Sequence, residues 1–174
     1  MNITGHVQSG SVQKRAPAGR SAAGFSLVEL LITLVLLGIV LAIAVPSYRG
    51  WVDNSNLKGA GRMISSDFYD TRARAMAENR AYTITYSPEP ANTCRIQAAA
   101  VNDLAAVDET KTFGEYGTVR MTAVNGGAAA VTVTIQPRGS AAPAATIGLT
   151  NVRNSTGTVT VLMTGRAHVT YSMQ

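Results

Sequence analysis

Residues 25–45 are twenty-one consecutive positions, all apolar except Ser26, Glu29, Thr33 and Gly38. A helix needs about 20 such residues to cross a hydrocarbon core, so the run is long enough to span a bilayer. Two ordinary readings fit that length. One is a secretory signal peptide, with Ala42-Ile43-Ala44 as a small-x-small cleavage site. The other is a simple membrane anchor. Neither gains anything from Glu29, because a carboxylate near the centre of a spanning helix costs about 2.5–3.5 kcal/mol on insertion scales, and less near an end.

An intramembrane acid calls for a partner. Cutting the chain between Gly24 and Phe25 would supply one, since the new α-amine lies four residues, about one helical turn, before Glu29. Glu29 could then neutralise the amine of its own chain or of a neighbouring copy. In a low dielectric a paired charge is tolerated where a lone one is not, so the pairing would set the axial register of packed helices.

The remaining chemistry is sparse. The formal charge of +5 is concentrated in residues 1–24, where Lys14, Arg15 and Arg20 face no acid. A basic stretch ahead of an apolar run marks positive-inside topology, with the leader on the cytoplasmic side. Cys94 is the single cysteine, which excludes an intramolecular disulfide or a multi-cysteine metal site. His6 and His168 are the only imidazoles, and no Gly-rich phosphate loop is present. No catalytic set can be assembled from this material, so no enzymatic activity and no cofactor are expected.

The string GFSLVELLITLVLLGIVLAIAVPSY, residues 24–48, resembles the N-terminus of type IV pilins and type II secretion pseudopilins. The resemblance implies cleavage by a prepilin peptidase between Gly24 and Phe25 and N-methylation of Phe25. It also implies an assembly role for Glu29 and a helix-bending role for Pro46. The partners implied are the peptidase, other major and minor pilins, an inner-membrane assembly platform and the inner membrane itself. The head would lie in the periplasm before incorporation into a pilus or pseudopilus.

Beyond Pro46 the pattern becomes amphipathic. Leu57, Ala60, Ile64, Phe68, Thr71 and Ala75 form one helical stripe expected to pack against a head. Lys58, Arg62, Asp67, Asp70, Arg72, Arg74 and Glu78 mostly take the other faces. Pro46 should bend this helix, Gly59 and Gly61 should weaken it, and Asn79-Arg80 should end it. Period-two alternation then predicts strands at 81–87, 94–100, 118–124, 130–136, 145–149, 158–163 and 167–172, while 101–117 reads as a polar loop. The expected organisation is a leader (1–24), a transmembrane or filament-core helix (25–46), an amphipathic extension (47–79) and a β-rich head (80–174). The fold class is α+β, pilin-like: a long N-terminal helix, bent near Pro46, packed on an antiparallel β-sandwich.

Residues 55–86, 134–151 and 159–171 are similar to the helix, Pro-Arg-Gly turn and Gly-Arg hairpin of the GspH/FimT group of minor pilins. That similarity implies a minor pilin that primes assembly or sits at the pilus tip, with a GspH-like pseudopilin as the alternative. Some members bind DNA through a Gly-Arg-x-Arg turn, which makes Arg138, Arg153, Arg166 and His168 candidate DNA contacts. Here the turn is Gly165-Arg166-Ala167-His168, so a mostly neutral histidine replaces the second arginine. The plainer reading, a solvated turn arginine, is preferred because phosphate clamps need several cations. Cys94 reads as a small, partly buried strand residue, and Trp51 either sits at a membrane interface or packs on the head.

Overall fold

The computed structural model describes residues 24–174. The leader, with His6, Lys14, Arg15 and Arg20, lies outside the described residues. The chain divides into two units between Val40 and Leu41. Helix α1, Leu27–Ala77, begins in the first unit and ends in the second.

In the first unit Gly24–Ser26 precede the helix, and the positions from Gly24 to Val40 are exposed. Ser26 starts α1: its Oγ accepts from the Val28 N–H at 3.3 Å, and its carbonyl accepts from the Leu30 N–H at 3.1 Å. This is an N-cap, supplying an acceptor where the first helical donors have none. The Thr33 hydroxyl is satisfied within the helix by donating to the Leu30 carbonyl at 2.8 Å.

In the second unit α1 continues through Pro46, and the expected stripe Leu57, Ala60, Ile64, Phe68, Thr71 and Ala75 is buried throughout. The helix ends in a Schellman-type turn. Asn79 takes a left-handed φ of 48° and the Arg80 N–H bonds to the Ala75 carbonyl at 3.2 Å. Arg80 is itself buried, and its guanidinium donates to Glu78, the Tyr82 hydroxyl and the carbonyls of Ala99 and Ala105. One side chain thereby ties the helix end to the loop after the second strand.

The head contains β1 (Tyr82–Ser87), β2 (Thr93–Ala98), β3 (Val107–Thr112), β4 (Arg120–Val124), β5 (Val131–Ile135), β6 (Ala141–Ala142), β7 (Ala145–Thr150), β8 (Thr156–Val161) and β9 (Ala167–Ser172). They form two antiparallel sheets, ordered β3-β2-β1-β5-β6 and β4-β7-β8-β9. Alternate residues point inward: Tyr82, Ile84 and Tyr86 from β1, Ala145, Ile147 and Leu149 from β7, Val159 and Val161 from β8. They share one core with the helical stripe. Burying each large aliphatic or aromatic side chain contributes about 1.5–3 kcal/mol, so this shared core is the main source of stability.

Three expectations need correction. Residues 101–117 are not simply a loop, for they contain β3 and a 3-10 turn at Phe113–Tyr116. Asp67, expected among the residues off the packed stripe, is buried with it: it is 6% exposed and pairs with Lys111 of β3 at 2.5 Å. Cys94 is fully buried rather than partly so. Gly59 and Gly61 sit within α1 where Tyr116 of the 3-10 turn, and Val169 and Tyr171 of β9, approach the helix closely.

Each sheet edge is blunted. Strand β3 carries Asp108, Glu109 and Lys111, β6 has only two residues, and β4 is irregular between Met121 and Ala123. At β9 the Tyr69 hydroxyl of α1 donates to the Ala167 carbonyl at 2.8 Å and accepts from the Ala167 N–H at 3.0 Å.

Candidate functional site

Two regions hold the residues singled out from sequence. The first is the start of α1. Because Ser26 caps the helix, the Gly24–Phe25 peptide bond lies in non-helical chain, and among the described residues nothing approaches within 4 Å of a Cβ built on Gly24. Among the described residues Phe25 is exposed. Glu29 lies in the first turn of α1, where the helix dipole favours a negative charge. Among the described residues it makes no salt bridge. Ser26-Leu27-Val28-Glu29 also has the spacing of a capping box, a signal the sequence reading did not use. The bond formed among the described residues runs from the Val28 N–H to Ser26 Oγ, a simple N-cap contact one residue short of the box's own Glu29 N–H. The exposed apolar positions run from Phe25 to Val45, and within this chain none of the most apolar window is buried.

The second region is where two turns of the head meet on α1. Gly139 and Gly165 both have positive φ, 85° and 76°. The Arg72 Nε donates to the Gly139 carbonyl at 2.8 Å. A Cβ on Gly165 would overlap that carbonyl and lie 2.6 Å from the Arg72 Nε. The Ala141 N–H bonds to the Met163 carbonyl at 3.1 Å and links the turns further. Arg72 is therefore a joint between them, a role that its place off the packed stripe in the sequence does not reveal.

The four candidate DNA contacts are not brought together. Arg138 and Arg166 belong to the two joined turns, and the Arg138 Nε is occupied by Ser140 Oγ at 3.0 Å. His168 is exposed on β9, opposite Thr160. Arg153 precedes β8, at the far end of that strand from Arg166, about 17 Å away along six residues. Its guanidinium lies over Gly50 of α1. Trp51 is 67% exposed and so does not pack on the head within this chain.

Buried titratable groups lie between helix and sheet. Tyr86, Cys94 and Lys111 are neighbours across β1, β2 and β3, and Lys111 reaches Asp67. Burial pushes the Cys94 thiol up to about 12. Burial likewise holds the Tyr86 hydroxyl well above its ordinary range. Asp67 Oδ2 and the Tyr86 hydroxyl lack protein partners. Tyr86, Cys94 and Asp67 face the core, while the Lys111 side chain stays 40% exposed.

Comparison with known proteins agrees with this arrangement. Residues 19–45 match the prokaryotic N-terminal methylation motif. The chain is 33% identical over 87 residues to the fimbrial protein EcpC of Eikenella corrodens, covering 45% of this chain and 57% of that protein. It therefore spans little more than half the length of that relative. The structure resembles the type IV minor pilin FimU of Pseudomonas aeruginosa, with a TM-score of 0.52, 12% identity, and coverage of 69% of this chain and 92% of that one. It resembles the minor pseudopilin EpsH from the type 2 secretion system of Vibrio cholerae to the same degree, with a TM-score of 0.53, 9% identity, and coverage of 67% and 97%. The fold is a pilin fold, and residues 19–45 carry the prokaryotic N-terminal methylation motif.

Proposed function

We propose that this chain is a minor type IV pilin that primes pilus assembly or occupies the pilus tip. Its precursor enters the inner membrane through the apolar run, leader in the cytoplasm and head in the periplasm. A prepilin peptidase cuts between Gly24 and Phe25 and Phe25 is N-methylated. An assembly platform then draws the chain out to join major and other minor pilins, with Pro46 bending the helix.

One observation carries this reading: a capped helix start that leaves Gly24–Phe25 in open chain, with Glu29 one turn on and an exposed apolar face behind it. The α-ammonium created by the cut would sit at the positive end of the helix dipole. Glu29 offsets that repulsion within one chain, or pairs with the amine of a neighbour as apolar helices bury one another. Glu29→Ala is expected to leave cleavage intact while reducing recovery in sheared pili by about tenfold or more, as for loss of a pairing worth about 1–3 kcal/mol. Mass spectrometry of the mature N-terminus and immunoblots of pilus fractions measure the two steps separately. Normal incorporation of the variant would defeat the pairing.

A GspH-like pseudopilin is the second reading, supported by the equal likeness to EpsH. Loss of the chain would then abolish protein secretion and leave piliation intact.

A further inference from the structure

The turn of α1 just beyond the apolar run has no part in the assembly role, yet its side chains are unusual for solvent. Tyr48 and Trp51 lie on one face, three residues apart, with ring centroids 6.1 Å apart, and they are 65% and 67% exposed. Arg49 lies between them in sequence. Gly50 is buried because the Arg153 guanidinium occupies the place of its side chain.

Arg153 is brought there by the loop between β7 and β8, and that loop is fixed. Asn151 Oδ1 accepts from the N–H groups of Arg153 and Ser155, each at 3.0 Å, and Asn151 Nδ2 donates to Asn54 Oδ1 of α1 at 3.0 Å. Beside Arg153, Val152 is 59% exposed. Two aromatic rings, two guanidinium groups and an exposed valine thus form a girdle around one level of the helix, within about 5 Å along its axis. Asp53 is the acidic group of that stretch, and it makes no salt bridge to either arginine. Leu41, Ile43 and Val45, also exposed, come immediately before.

We propose that this girdle seats the head on the membrane that α1 enters. In that seating Arg49 and Arg153 meet the phosphates of anionic phospholipid, and Tyr48, Trp51 and Val152 enter the boundary with the acyl chains. Amphipathic rings concentrate at that boundary, and each arginine near an anionic surface adds attraction that fades within a Debye length. A second copy is the poorer occupant, because docking like on like would set cation against cation. The inference rests on the membrane-anchored reading and adds a head–lipid contact that lasts until the subunit is drawn into a filament.

Trp51 is the only tryptophan, so its fluorescence reports the girdle directly. The full chain is reconstituted in vesicles of phosphatidylcholine with or without phosphatidylglycerol, and flotation first checks anchoring. Expected results are a blue-shifted Trp51 emission, stronger quenching by lipids brominated near the headgroup than near the chain end, and protection from acrylamide that grows with phosphatidylglycerol and falls in high salt. Arg153→Gln and, separately, Arg49→Gln should each remove about half of the phosphatidylglycerol-dependent protection, since each supplies one of two cations. Circular dichroism checks that both variants are folded. A chain that floats but shows equal acrylamide access with and without phosphatidylglycerol overturns the girdle and spares the anchoring. Protection that tracks protein-to-lipid ratio instead assigns the surface to a second copy and also overturns it. Failure to float overturns the anchoring, and the girdle with it.

Discussion

Gly165 shows how much can depend on a missing methyl group. Its φ of 76° is a left-handed conformation, and its α-carbon faces the Gly139 carbonyl and Arg72. Gly126 has nearly the same φ, 77°, but a Cβ built there would meet nothing within 4 Å. Gly126→Ala should therefore cost only the backbone penalty, about 1 kcal/mol. Gly165→Ala adds steric overlap at the joint and should cost about 2–4 kcal/mol. Urea unfolding of the full chain in detergent, followed by far-ultraviolet circular dichroism, measures the difference. The need for glycine in these turns was legible from Pro137-Arg138-Gly139 and Gly165, but their meeting over Arg72 was not. Arg72 and Gly139 are 67 residues apart, and no local pattern encodes the bond between them. Glu29, in contrast, was conspicuous in sequence because an acid in an apolar run violates the pattern around it.

At the scale of single elements, strands were legible where burial alternates cleanly. The pattern in β1 and β7 is regular buried/half-buried or buried/exposed alternation, and both were expected close to their observed limits. Strand β3 is half-buried at best, and five of its six residues, Asp108, Glu109, Thr110, Lys111 and Thr112, are polar, so it reads as loop. It is held by an antiparallel ladder to β2, to which three ion pairs are added: Arg95 with Asp108, Arg74 with Glu109, and Lys111 with Asp67. The first two pairs are exposed and worth little. The third differs, because Asp67 is nearly sequestered while the Lys111 side chain is 40% exposed. Lys111→Ala should cost about 2–3 kcal/mol by stranding that carboxylate, at the low end for a broken buried pair because the ammonium is partly solvated. The double variant Asp67→Leu, Lys111→Met should recover most of the loss, and a double-mutant cycle in urea tests both statements.

For the molecule as a whole, the groups between helix and sheets make stability fall on the alkaline side. Cys94 is held up to about 12 from an ordinary 9.0 by burial. Tyr86 is raised by burial, and Lys111 is raised first by its hydrogen bond to Asp67. In each case the folded state keeps a proton that the unfolded state loses, so stability is complete below the ordinary value and declines as pH rises toward the folded one. From Cys94 alone the decline is roughly 1 kcal/mol per pH unit, starting near pH 9. Cys94→Ala should move the onset to about pH 10, where Tyr86 begins to contribute, as read from urea midpoints against pH.

In the proposed role, the blunted margins of the two sheets would limit how the subunit can polymerise. A bare strand invites another chain to continue the ladder, and a crowd of related heads would offer many continuations. Here one border is charged, one is only a pair of alanines, one is kinked, and at the fourth a tyrosine hydroxyl stands in for the next strand. With sideways zippering closed off on the head, growth in the proposed filament would be left to the greasy stem, and helices sliding into register would set the order of subunits.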